Sequence, residues 1–254
     1  MSTSSSIWIQ CAGASEIKPL LLDPWRVVES QHQVATRKLV DSDAEQQLLE
    51  QLIEEVKPRV RARTQRLHYL LFTPFRYPPL RHGSRFGTRA EPGIWYGAET
   101  QQAAFAEVAY YRLLFLEGTR ADLGLLEVEL TAFRITVRSN AGIDLTAQPF
   151  AAREAVIADK TSYAATQLLG RAMREAGVEV FRYRSARDRE KGVNVGVFSP
   201  AAFGRRAPRA FETWHCAATR ERVEMVRRSY AERATYGYEK EEFMVNGELP
   251  APAV

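Results

Sequence analysis

This 254-residue chain is short of the residues that build metal and redox centres. It has two cysteines, Cys11 and Cys216, too far apart for a paired-thiol motif, which fits a reducing compartment and excludes a disulfide scaffold. The four histidines, His32, His68, His82 and His215, are scattered without ligand spacing, so no metal is expected. No apolar run approaches the roughly eighteen residues of a membrane span. The opening residues lack a basic region followed by a long apolar core, so a cytoplasmic rather than a secreted protein is expected. The phosphate-cradling patterns G-x-x-x-x-G-K-[ST] and G-x-G-x-x-G are missing, as is the G-x-S-x-G nucleophile elbow. Repeats and low-complexity linkers are missing too.

What is present is an ordinary globular composition, 45% hydrophobic, which is enough for one large domain or a domain with an appendage. The net charge of +4 suits nucleic acid or a small anionic ligand and does not choose between them. Residues 1–40 are poorly periodic. From Asp41 an amphipathic helix is expected, capped by Asp41 or Ser42 and stopped by Pro58, with Leu48, Leu49, Leu52, Ile53 and Val56 on a packing face. "LHYLLFTPF" reads as a buried strand and "GIWYGAE" as a short one. Thr100 opens a helix in "TQQAAFAEVAYYRLLF", and "LGLLEVELTAFRITVRS" alternates as one long or two short strands. A helix in "SYAATQLLGRAMREAG" ends at Gly177. Strands follow in "VEVFRYR", "VNVGVFSP", "AFETWHCAAT" and "EEFMVNGEL", while "RERVEMVRRSYAER" fits either helix or strand. The expected fold is α+β, a mostly antiparallel central sheet flanked by helices. A partly helical N-terminal extension, residues 1–65, is expected to precede the main domain at 66–254.

One segment stands out. "TPFRYPPLRHGSRFG" sets Arg76 and Arg85 on a stretch stiffened by proline and punctuated by glycine. Guanidinium groups meet phosphate oxygens with a fork of fixed donors, so this is a candidate anion wall. Tyr96 follows Arg85 by eleven residues and Glu107 follows Tyr96 by eleven. Glu107 lies among apolar helix neighbours, where a carboxylate needs a partner or a purpose. An ion pair with Arg85 or Arg112 is the structural alternative. Ser185 and Asn194 fall in "RSARDREKGVNVGVF", a strand running into a loop; a serine there is ordinarily a turn residue. Arg187 and Arg189 read as solvated.

Together "FRYPP", "GSRFG", "GIWYGAETQQAAFAEV" and "RSARDREKGVNVGVF" resemble the RES-domain family, the toxin half of RES–Xre toxin–antitoxin pairs. The resemblance covers roughly residues 66–200. It implies a fold related to ADP-ribosyltransferase toxins, and NAD+ as the substrate consumed. Cleavage is at the nicotinamide–ribose bond, with phosphate, water or a protein side chain as acceptor. It further implies Arg85, Tyr96 and Glu107 as catalytic residues, and Arg76, Arg85, Tyr96, Ser185 and Asn194 as NAD+ contacts. An Xre-family antitoxin is the implied partner. A positive charge builds on the ribose as an N-glycosidic bond breaks, and Glu107 is suited to face it. The alternative is a nucleic-acid-binding module resting on "KPRVRARTQR" and "RRAPRAFETW", for which Glu107 is irrelevant.

Overall fold

The computed structural model describes residues 6–30, 40–58, 64–229 and 232–251. Ten strands among them form a single sheet in the order β1-β5-β6-β7-β3-β2-β4-β8-β9-β10. In chain order these are β1 (Lys18–Leu22), β2 (Trp25–Glu29), β3 (Trp95–Ala98), β4 (Leu126–Arg134) and β5 (Val137–Asp144), then β6 (Val180–Arg184), β7 (Val193–Val197), β8 (Arg209–Ala218), β9 (Arg222–Arg227) and β10 (Thr235–Glu239). Only β5 and β6 pair in parallel; the other pairings are antiparallel. The helices are α1 (Ile7–Gln10), α2 (Asp43–Val56), α3 (Tyr69–Arg76), α4 (Gln101–Gly118), α5 (Glu154–Ile157) and α6 (Ala164–Glu175). No described helix is long and apolar enough to cross a membrane. The α+β class and the mostly antiparallel sheet are as expected.

The helix starts follow capping chemistry. Thr100 Oγ1 accepts from Ala103 N at 3.2 Å to open α4, and Ser42 Oγ accepts from Glu45 N at 3.2 Å to open α2. Helix α6 ends before Gly177, which adopts a φ of +77°. Helix α4 lays Phe105, Ala109, Tyr110, Leu113 and Leu116 on a core shared with Leu130, Trp214 and Met225 of the sheet.

Four expectations are corrected. "LHYLLFTPF" is the helix α3 and not a strand. A short unbroken apolar run has no period to separate the two, and here His68 Nδ1 accepts from Leu70 N while Leu70, Leu71 and Phe75 are buried. Strand β10 is "TYGYE", whereas "EEFMVNGEL" is a 3₁₀ turn and an isolated bridge between Val245 and Glu248. Helix α2 fully buries none of its described residues: Leu48, Leu52 and Val56 are exposed, and of the expected face only Leu49 and Ile53 are half-buried.

The fourth correction concerns the first sixty-five residues as an appendage. Strand β2 lies between β3 and β4, and β1 pairs with β5, so both belong to the central sheet. Among the described residues no other strand joins the β1-β5-β6-β7-β3 half to the β4-β8-β9-β10 half. Its contact with β4 runs over five residue pairs, Trp25–Arg134 to Glu29–Leu130, but it meets β3 only at Trp25–Ala98. The backbones come so close there that a Cβ on Gly97 would stand 2.6 Å from the Trp25 carbonyl oxygen.

Candidate functional site

A cavity of about 760 Å³ is lined by β3 and β2 where they part, by β4, and by one face of α4. The α4 residues that line it, Ala104, Glu107, Val108, Tyr111, Arg112 and Phe115, recur at three- and four-residue spacing, as one helical stripe must. Its volume falls in the usual range for a small-molecule site.

Glu107 stands in this wall with its carboxylate held from behind. Ser185 Oγ donates to Glu107 Oε1 at 2.9 Å, and Asn194 Nδ2 donates to the same oxygen at 2.6 Å. Both donors are buried and neutral, and no described cation pairs with Glu107. The alternatives weighed from sequence are excluded by where the arginines go: Arg112 pairs with Glu29, and Arg85 donates to backbone carbonyls.

Ser185 does two jobs. Its hydroxyl oxygen accepts from Arg187 N and Asp188 N, each at 3.1 Å, which is the turn-capping role of an ordinary serine. The hydroxyl hydrogen is then directed at Glu107. Asp188 closes the same loop by accepting from Gly192 N at 2.9 Å. Arg187, read as solvated, is only 3% exposed. Its guanidinium lies 3.6 Å from the centre of the Tyr110 ring, and Nη2 donates to the Lys160 carbonyl at 2.9 Å. Arg189 is exposed, as expected, near Glu242.

Arg85 lines the cavity and is itself buried. Nη1 donates to the carbonyls of Asp159 at 2.7 Å and Ile157 at 3.2 Å, and the guanidinium lies 4.6 Å from the centre of the Tyr163 ring. No carboxylate among the described residues pairs with it, so its charge is available to an anion. Tyr96 lines the cavity too, but its hydroxyl is spoken for: it shares a hydrogen with Ser84 Oγ at 3.0 Å and accepts from Phe86 N at 3.3 Å. Burial pushes this phenol up to about 12. Tyr96 thereby fixes the turn that carries Arg85.

Arg76 is the one expected site residue brought elsewhere. It donates to Glu54 Oε1 at 2.7 Å and to the Pro58 carbonyl at 2.5 Å, which ties α3 to α2. The turn into helix at α3 swings its side chain away from the cavity. In return the cavity takes residues no motif singled out: Tyr163, Tyr183 and Tyr111, and the β2 run from Arg26 to Glu29. Arg209, from one of the two basic stretches, is paired with Asp23, while residues 59–63 of the other lie outside the described residues.

The sheet thus parts over a cavity whose lining includes an acid held by a serine and an asparagine and a buried arginine. The RES domain family model matches residues 59–219, well over half of the chain. The chain belongs to the RES-domain family. None of the curated proteins compared with it gives a significant match.

Proposed function

We propose that this RES-domain protein breaks the nicotinamide–ribose bond of NAD+. The observation that carries this reading is Glu107, a carboxylate in the wall of the cavity, oriented by two neutral donors on one oxygen and left without a cation. Such a carboxylate stabilises positive charge that appears on a ribose only as the bond breaks. Ser185 and Asn194 hold it in place, so little reorganisation is needed at that moment. Arg85 supplies a fixed positive charge for the pyrophosphate, and Tyr96 holds the turn on which Arg85 is carried. The released ribosyl group passes to phosphate, water or a protein side chain.

The biological setting we propose is that of a toxin, blocked by an Xre-family antitoxin that covers the cavity mouth. Purified protein incubated with NAD+, with and without phosphate, is expected to release nicotinamide. A phosphorylated ADP-ribose product in the phosphate arm would identify phosphorolysis. Absence of nicotinamide release under every acceptor condition would overturn the reading.

A further inference from the structure

The cavity is longer than a site for one bond needs. Beyond Glu107 the α4 stripe continues through Val108, Tyr111 and Arg112 to Phe115, eight residues or about 12 Å along the helix axis. Most of the polar lining, Ser84, Arg85, Tyr96, Tyr163, Tyr183 and Asn194, gathers at the Glu107 end. The far arm is floored by Val128 and Leu130 of β4 and walled by Val27 and Val28 of β2. Its mouth carries the ion pair of Arg112 with Glu29. Phe115 is 54% exposed and Tyr111 44% exposed, so two aromatic faces stand uncovered along this arm.

The two ends differ in chemistry. Arg85 lies against the Tyr163 ring at the polar end. Burial raises the Tyr111 hydroxyl well above its ordinary range, and Tyr163 and Glu107 raise it further. The apolar arm runs on past Tyr111 to Phe115.

Resting on the NAD+ reading above, we infer that this arm is the subsite for the purine base at the far end of the dinucleotide, with Phe115 as its stacking face. A flat heterocycle gains most from an apolar trough with open aromatic faces and a polar edge at its mouth. The spacing fits a substrate in which a ribose, a pyrophosphate and a second ribose separate the breaking bond from the base. Strand β2, outside the family match at residues 59–219, supplies one wall of the trough. Discrimination for the distal half of the substrate thus rests partly on residues that precede the family domain.

The test compares NAD+ with nicotinamide mononucleotide, which has the same scissile bond and lacks the adenylyl half. Two variants are used on the full chain: Phe115→Ala, which removes a stacking face at an exposed position, and Val128→Trp, which fills the trough. The ratio of kcat/KM for NAD+ to that for the mononucleotide should fall at least tenfold in both. Direct binding of AMP to the wild type, weakened at least tenfold in both variants, is expected in parallel. NAD+ cleavage with an unmoved ratio overturns the subsite and leaves the proposed reaction standing. AMP binding that the variants weaken, without any NAD+ cleavage, keeps the subsite and overturns the reaction. A wild type that neither binds AMP nor prefers the dinucleotide, or variants that lose both substrates equally, also overturn the subsite.

Discussion

Asn194 lies 87 positions after Glu107, yet its side-chain amide donates to the Glu107 carboxylate at 2.6 Å. Strand β7 thereby holds a side chain of α4 across the face of the sheet. The arrangement gives Glu107→Gln a definite expected outcome. Gln keeps the shape and can still accept through its carbonyl oxygen, so only the charge is lost. For NAD+ cleavage kcat should fall by about 10²–10³, with KM changed far less, because ribosyl charge belongs to the transition state. Steady-state kinetics with both parameters resolved is the check, and wild-type turnover would return Glu107 to a structural role.

Ser185→Ala should cost more than one hydrogen bond. The Arg187 and Asp188 amides lose their acceptor and Glu107 loses a donor. A destabilisation of about 1–3 kcal/mol is expected from leaving buried donors unpaired. Denaturant titration measures it, and a loss of kcat should accompany it because the carboxylate is then oriented by Asn194 alone.

Arg85 and Arg76 should separate cleanly. Arg85→Lys replaces a buried fork by a point charge and should raise KM for NAD+ about tenfold or more, with a smaller effect on kcat. Arg76→Ala should leave both kinetic parameters near wild type and lower stability only slightly, since its partner Glu54 is exposed and the pair is screened by solvent. A rise in KM for Arg76→Ala would place its guanidinium back at the substrate.

Gly170 of α6 packs on the turn that carries Arg85. A Cβ there would stand 2.0 Å from the Phe86 carbonyl oxygen, so Gly170→Ala must push helix and turn apart. Overpacking of this kind costs about 1–3 kcal/mol. Thermal melts should register the loss, and NAD+ affinity should drop with it.

The alkaline limit of stability follows from the tyrosines. Burial pushes Tyr96 and Tyr110 each to about 12 in the folded protein, against about 10 in an unfolded chain. A phenol that resists ionisation only when folded stabilises the fold below pH 10, and that contribution fades as pH rises from 10 to 12. Unfolding free energy should decline over that window. Tyr96→Phe should flatten the decline, with ultraviolet tyrosinate absorbance as the second readout.

How much of this was legible from sequence depended on whether a residue carried a local signal. Thr100 before an apolar period and Gly177 after one mark helix ends through backbone chemistry that any neighbourhood must obey, and both ends lie where expected. The two eleven-residue gaps brought Arg85, Tyr96 and Glu107 to one cavity. Arg76 failed because its direction depends on whether residues 69–76 coil or extend, and the run "LHYLLFTPF" has no period to decide that. Arg187 failed for a different reason: a guanidinium is hidden here by an aromatic face and a carbonyl from distant parts of the chain. The β2 wall left no trace either, since "WRVVE" is a weak strand until β4 pairs with it.

The place of β2 in the sheet bears on how the chain reaches its native state. Residues 25–29 leave the ribosome before β3 and β4, the strands they pair with, so the sheet cannot be completed in the order of synthesis. Closing such distant pairings is slow and leaves strand edges exposed meanwhile. A fragment beginning at residue 59 would retain the family domain but lose the strand that unites its two half-sheets. It should then associate through the bare edges of β3 and β4 instead of folding to a working monomer.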